Sequence, residues 1–109
     1  MFRLGLPAIL LCLLANQALA GRAFDLVSRL PEPDRLRALQ AIIVNAEACT
    51  GASKMIYMGD STDSDAGYWT IRCAEGEYML EIMNAGDMQT KVMKCSLAEA
   101  LGIRCWQPF

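Results

Sequence analysis

The sequence predicts an α+β fold: one amphipathic helix packed on a three- to five-stranded antiparallel sheet, tied by two disulfides. Three observations predict it. Apolar residues first recur at helical spacing, and beyond Thr50-Gly51 they alternate with polar ones. Turn-forming sequences separate the alternating runs. Four cysteines, Cys49, Cys73, Cys95 and Cys105, follow residue 20 in a chain too short to bury a large core.

The helix is expected over residues 34–48. Leu36, Leu39, Ile43 and Ala46 fall at i, i+3, i+7 and i+10, and Ile42 widens the stripe. Asp34, Arg35, Arg37, Gln40 and Glu47 take the other face. Pro33 and Asp34 suit a first turn, where a missing N–H is harmless and a negative charge meets the helix dipole. Thr50-Gly51 is expected to stop the helix just past Cys49. Before it, residues 21–33 read as a lead-in segment: Phe24, Leu26, Val27 and Leu30 suit a short amphipathic turn that Pro31 and Pro33 end.

Beyond Gly51 the period is two. A short strand is expected over residues 55–58, then strands over 68–73, 77–83 and 89–94. The turns between the last three are Ala74-Glu75-Gly76 and Asn84-Ala85-Gly86-Asp87, and Gly76 supplies the positive φ that a tight turn demands. Trp69, Ile71 and Cys73 share one strand face; Tyr78, Leu80 and Ile82 share one face of the next. Residues 97–101 are expected to add a helical turn and 103–106 a last short strand. On this layout, of the three possible pairings, Cys49–Cys73 pins helix to sheet and Cys95–Cys105 closes a C-terminal loop around "SLAEALGIR". Residues 34–109 then form a single disulfide-bonded domain.

The first twenty residues have the layout of a secretory signal peptide: Arg3, an apolar run over residues 4–14, and Ala18-Leu19-Ala20 as the cleavage site before Gly21. A membrane span needs about 20 continuous apolar residues, and Asn16 and Gln17 interrupt this run. Cys12 lies inside the apolar run and is expected to leave with the peptide. Of the ten Lys and Arg, only Arg3 precedes residue 21, so nine basic residues face twelve acidic ones and the remaining net charge is −3. The cations are scattered, which argues against nucleic acid and against anionic lipid as partners.

The chain contains no His, no C-x-x-C and no Gly-rich phosphate loop. Ser-His-Asp and Cys-His catalysis, haem attachment and thioredoxin chemistry lack their residues. The expectation is a protein that is not an enzyme and carries no cofactor or metal. Asp60, Asp63 and Asp65 suggest a calcium loop, but with Ser61 as first position Ala66 and Arg72 stand where an EF-hand needs Gly and Glu, so a solvated loop is expected. Met55, Met58, Met79, Met83, Met88 and Met93 raise a soft-metal reading, a copper carrier built on thioethers. Adaptable packing is the plainer use of Met. Met79 and Met83, with Glu81 between them, lie opposite Tyr78, Leu80 and Ile82 and are expected to form a partly exposed protein-contact face. Trp69, Tyr68 and Trp106 suggest a groove, with burial of Trp69 in the core the alternative expected.

The run "YWTIRCAEGEYMLEI", with a first Cys after a helix, then "TKVMKC" and the final Cys105-Trp106, resembles small cysteine-containing exported proteobacterial proteins of unassigned function. The resemblance implies a periplasmic setting and brings no activity with it; with the catalytic residues absent, the expected role is a non-catalytic accessory subunit or protein-binding module of an envelope complex. The C-x-x-G of Cys73-Ala74-Glu75-Gly76 is also similar to periplasmic inhibitors of c-type lysozyme, whose pattern has Tyr where Ile71 stands and whose fold is a β-barrel. That similarity implies, as the alternative, an inhibitor of a secreted hydrolase.

Overall fold

In the computed structural model, which describes residues 21–109, the expected helix, sheet and two disulfides are all present. The signal-peptide reading of residues 1–20, with Cys12, lies outside the described residues. The element order is α1 (Arg22–Ser28), α2 (Glu32–Val44), β1 (Lys54–Ser61), β2 (Ala66–Cys73), β3 (Gly76–Met83), β4 (Thr90–Lys94) and α3 (Cys95–Ala100). The strands form one antiparallel meander in the order β1-β2-β3-β4.

Register follows from the alternation. Tyr57, Trp69, Leu80 and Val92 stand opposite one another across the four strands, on the face that α1 and α2 cover. Ile56, Thr70, Met79 and Met93 form the matching row on the other face. A one-residue slip would exchange these rows, so burial on the helix side holds the register. The core beneath the helices joins Leu39 and Ile43 of α2 to Trp69, Ile71, Leu80 and Ile82, with Leu36 and Ile42 packed at its margin. The stripe read from residues 36–43 is therefore the packing face.

The lead-in is a helix rather than a turn. Ala23 is fully buried and the Phe24 ring lies 4.4 Å from that of Tyr57, which in turn lies 5.2 Å from Trp69. Pro31 and Pro33 do separate α1 from α2, but as the cap and first turn of α2, where their missing N–H groups cost nothing. Helix α2 ends at Val44, well before Thr50-Gly51. The chain must turn there to carry Cys49 down to Cys73, whose Cα atoms are 5.1 Å apart. The carbonyls freed by the turn are used: Gln40 donates to Cys49 O and the Tyr78 hydroxyl to Ala48 O.

Strand β1 extends to Ser61, past the expected end at residue 58, because a bulge between Tyr57 and Gly59 lets the polar residues 59–61 keep pairing with β2. No strand forms over residues 103–106. That segment is held instead by Ile103 N–H on Ala98 O and by the bridge from Cys105 to Cys95, with the two Cα atoms 6.0 Å apart.

The Cys49–Cys73 bridge spans 24 residues. Loop-closure entropy alone makes it worth about 3.5 kcal/mol. The Cys49→Ala/Cys73→Ala variant is expected to lose stability of that order in urea unfolding; a loss below about 1 kcal/mol would show that the helix–sheet core is sufficient without the staple.

Candidate protein-contact surface

Strand β2 is buried on both faces: Trp69 and Ile71 toward the helices, Thr70 toward the opposite layer. The cover of that second layer is built from the chain after β4. Met79, Cys95, Ala98 and Cys105 form its core, and Tyr68, Met93, Ile103 and Trp106 pack against them. Helix α3 starts directly where β4 ends, so its buried side, Cys95 and Ala98, comes down on the sheet. The Cys95–Cys105 bridge holds the following loop against the same face.

Thr70 is the anchor. Its hydroxyl donates to Met58 Sδ (3.0 Å) and accepts the backbone N–H of Trp106 (3.2 Å), so a fully buried polar group has partners on both sides. The second of these bonds fixes the tail at a residue whose φ is +66°, a left-handed conformation that costs a bulky side chain about 1–3 kcal/mol. The indole is held in return. Lys54 Nζ and Arg72 Cζ lie 5.0 and 5.1 Å from its ring centroid, within cation–π range. Arg72 also pairs with Glu77 at 2.7 Å. Farther along, Phe109 N–H donates to Met58 O and the Phe109 ring meets Tyr68 edge-on at 5.4 Å, which closes the tail over the bulge of β1.

Two carboxylates near this cover are held in their charged form. The Arg72 guanidinium keeps the Glu77 carboxyl below the ordinary range, and the Trp106 indole N–H adds to this although it makes no hydrogen bond of normal length. Glu75 is lowered by the hydroxyl and then the amide of Thr50, at 2.6 and 2.7 Å. Tyr68 is raised, first by burial and then by donating to Glu81.

The sequence-predicted site residues fall as follows. Met79 is not part of an exposed face: it is 4 % exposed beneath α3 and the Cys95–Cys105 bridge. The chain's own C-terminus covers it, which strand alternation could not reveal. Glu81 and Met83 are half-buried on that face, with Glu81 taken up by Tyr68. Cys49, Cys73, Cys95 and Cys105 form the two expected bridges. Trp69 is core on the helix side while Tyr68 and Trp106 lie on the other, so the three share no groove. Asp60 and Asp65 are joined through Asn84 Nδ2, and Asp63 is exposed.

The cover leaves two large apolar side chains outside. Leu97 and Leu101 are 53 % and 63 % exposed on the outer side of α3, one turn apart, above the buried Cys95 and Ala98. A different side of α3 borders an open groove of about 670 Å³, lined in part by Glu47, Glu75, Glu77, Lys94, Ser96 and Glu99. Four glutamates against one lysine make it acidic. The signal for Leu97 and Leu101 was present in "SLAEALG", but nothing local told which side of that turn would be covered.

The fold and surface thus define a small disulfide-tied α+β domain with a stapled, apolar-tipped C-terminal cap. Among the described residues no helix is long and apolar enough to cross a membrane. No family model, curated protein or solved structure matches the chain.

Two outcomes follow from this geometry. Peroxide is expected to oxidise Met83 before Met79 in the intact protein, and Cys95→Ala/Cys105→Ala should raise the Met79 rate roughly tenfold by opening the cover, read by peptide mass spectrometry. Equal rates for Met79 in both proteins would mean that the bridge does not hold α3 down. For acid, the folded values of Glu75 and Glu77 lie below the ordinary glutamate value of 4.5. Their stabilising contribution is therefore complete above that pH and lost as pH falls through the lower folded values. Glu77→Gln should lower the melting temperature at about pH 6 and narrow its drop toward about pH 3; an unchanged drop would remove the Arg72–Glu77 pair as the cause.

Proposed function

We propose that this protein is a non-catalytic, exported module that binds another protein of the bacterial envelope, as an accessory subunit in the periplasm. The observation that carries the reading is the exposed pair formed by Leu97, in a six-residue helix, and Leu101, the residue that caps its C-terminal end. Left alone, so short a helix would be unstable in water; here a bridge and a buried side hold it rigid. A rigid apolar ridge pays little ordering entropy on binding, and apolar side chains grouped on such a ridge suit a contact. The acidic groove on another side of the same helix fits a partner whose apolar contact is flanked by Lys or Arg. Paired cysteines favour an oxidising compartment, and the leader-like residues 1–20 supply a route to it.

A photo-crosslinking residue placed at Leu97 or Leu101 in the native host is expected to capture one defined protein. The same probe at Val44, which is 54 % exposed on α2, is expected to capture none. The capture should weaken at high salt, since the groove is charged. Equal capture at all three positions, or none at any, would overturn this assignment of the surface.

A further inference from the structure

Gly21, which follows the Ala18-Leu19-Ala20 signal, is seated against a polar cluster at one end of the sheet. Its φ is +73°, and a Cβ there would overlap Asp60 Oδ2 and come within 2.9 Å of both amide atoms of Asn84. Only glycine fits. A Cβ lies about 2.5 Å from the nitrogen of its own residue, so Asp60 Oδ2, 2.1 Å from that Cβ position, stands no more than about 4.6 Å from the Gly21 nitrogen, at or within a small side-chain rotation of pairing distance.

The cluster ties three parts of the chain together. Asn84, just past β3, donates through Nδ2 to Asp60 Oδ2 at 2.9 Å and to Asp65 Oδ1 at 3.2 Å. Its Oδ1 accepts Ala23 N–H of α1 at 2.9 Å. The Tyr57 hydroxyl donates to Asp60 Oδ1. Two carboxylates therefore converge on one neutral amide group. Among the described residues the ion pairs are Arg29–Asp25 and Arg72–Glu77, and neither Asp60 nor Asp65 has a basic side chain within pairing distance. Arg22, the neighbouring cation, donates instead to Gly86 O. The cluster is matched in hydrogen bonds but not in charge.

We propose that the missing cation is the α-ammonium of Gly21, created when a leader peptidase hydrolyses the Ala20–Gly21 bond, and that its pairing with Asp60 locks α1 onto the finished domain. Water adds across the peptide bond, leaving a carboxylate on Ala20 and an amine on Gly21 that takes up a proton at neutral pH. Before cleavage the same nitrogen is a neutral amide and gives the two carboxylates no counter-charge. Processing thus couples to stability: the N-terminal helix is held most firmly only in the mature chain. The inference rests on the reading of residues 1–20 as a removable leader and is independent of the protein-contact surface.

Asp60 from β1 and the neutral Asn84 lie against Gly21, with Tyr57 bonded to Asp60 and Asp65 to Asn84 one step behind them; on its own helix Arg22 is turned to Gly86 O and Asp25 is paired with Arg29. Next to these carboxylates the ammonium should titrate above the ordinary α-amino value of about 8. A raised folded value means that the contribution is fully present below about pH 8 and is lost as pH rises through the folded value.

The test compares the chain beginning at Gly21 with one carrying a single added Ala before it, each with Asp60 and with Asp60→Asn. The added residue turns the Gly21 nitrogen back into an amide and changes no side chain. It is expected to lower the melting temperature at pH 7 by roughly 5 °C with Asp60 and by little with Asp60→Asn. The gap should close toward about pH 10. Nitrogen NMR of Gly21 gives a second readout within the folded protein: a midpoint above about 8 with Asp60 that returns to the ordinary value in Asp60→Asn. An equal temperature shift in both backgrounds, or an ordinary midpoint with Asp60 present, would overturn the pairing. Mass spectrometry of the exported protein checks the cleavage itself, since a mature chain starting elsewhere than Gly21 would remove the cation whatever the pairing test shows.

Discussion

Everything in this fold depends on a central strand that is buried on both faces. Trp69, Thr70 and Ile71 of β2 are all buried, so neither side of the sheet can be left to water. A small antiparallel sheet commonly solves this by solvating one face. Here one face takes α1 and α2, and the other takes the chain that follows β4. With few residues left for that second layer, covalent closure stands in for bulk: the Cys95–Cys105 bridge holds what a larger domain would hold by area.

The two layers are of different character. The helix side is a continuous apolar core in which Tyr57, Trp69 and Phe24 meet as tilted rings. The tail side is smaller and fixed by directional contacts: Thr70 on Met58 and Trp106, the Trp106 ring against Lys54 and Arg72, and Phe109 on Met58 O. Those contacts offset the left-handed backbone at Trp106. They also explain why the protein-contact proposal lies on this side, since a layer one helical turn thick has an inside and an outside within a few residues. Cys95 and Ala98 face in while Leu97 and Leu101 face out.

Polar organisation follows the same economy. Carboxylates sit at the ends of the sheet, where they fasten segments that have little apolar surface to bury. Glu75 grips Thr50 beside the Cys49–Cys73 bridge, and Asp60 with Asn84 grips the start of α1. Exposed as it is, the first clasp is weak by itself, and it works by keeping the disulfide-linked loop in place.

Much of this was legible in the sequence. The stripe from Leu36 to Ile43, the opposed faces of β2 and β3, the hairpin turns and both cysteine pairings depend on spacing along a short stretch, and spacing is what a sequence displays. What only the tertiary structure decided was which apolar residues would be covered. Met79 lies on the face that alternation assigns it, yet it is buried because α3 returns over it; Leu97, just as apolar, is left in water. Helix α2 stops at Val44 because Cys49 must reach Cys73, and Gly21 meets Asp60 because α1 packs across the end of the sheet. Periodicity says which way a side chain faces, but what lies over it is supplied by residues distant in the chain, and burial depends on both.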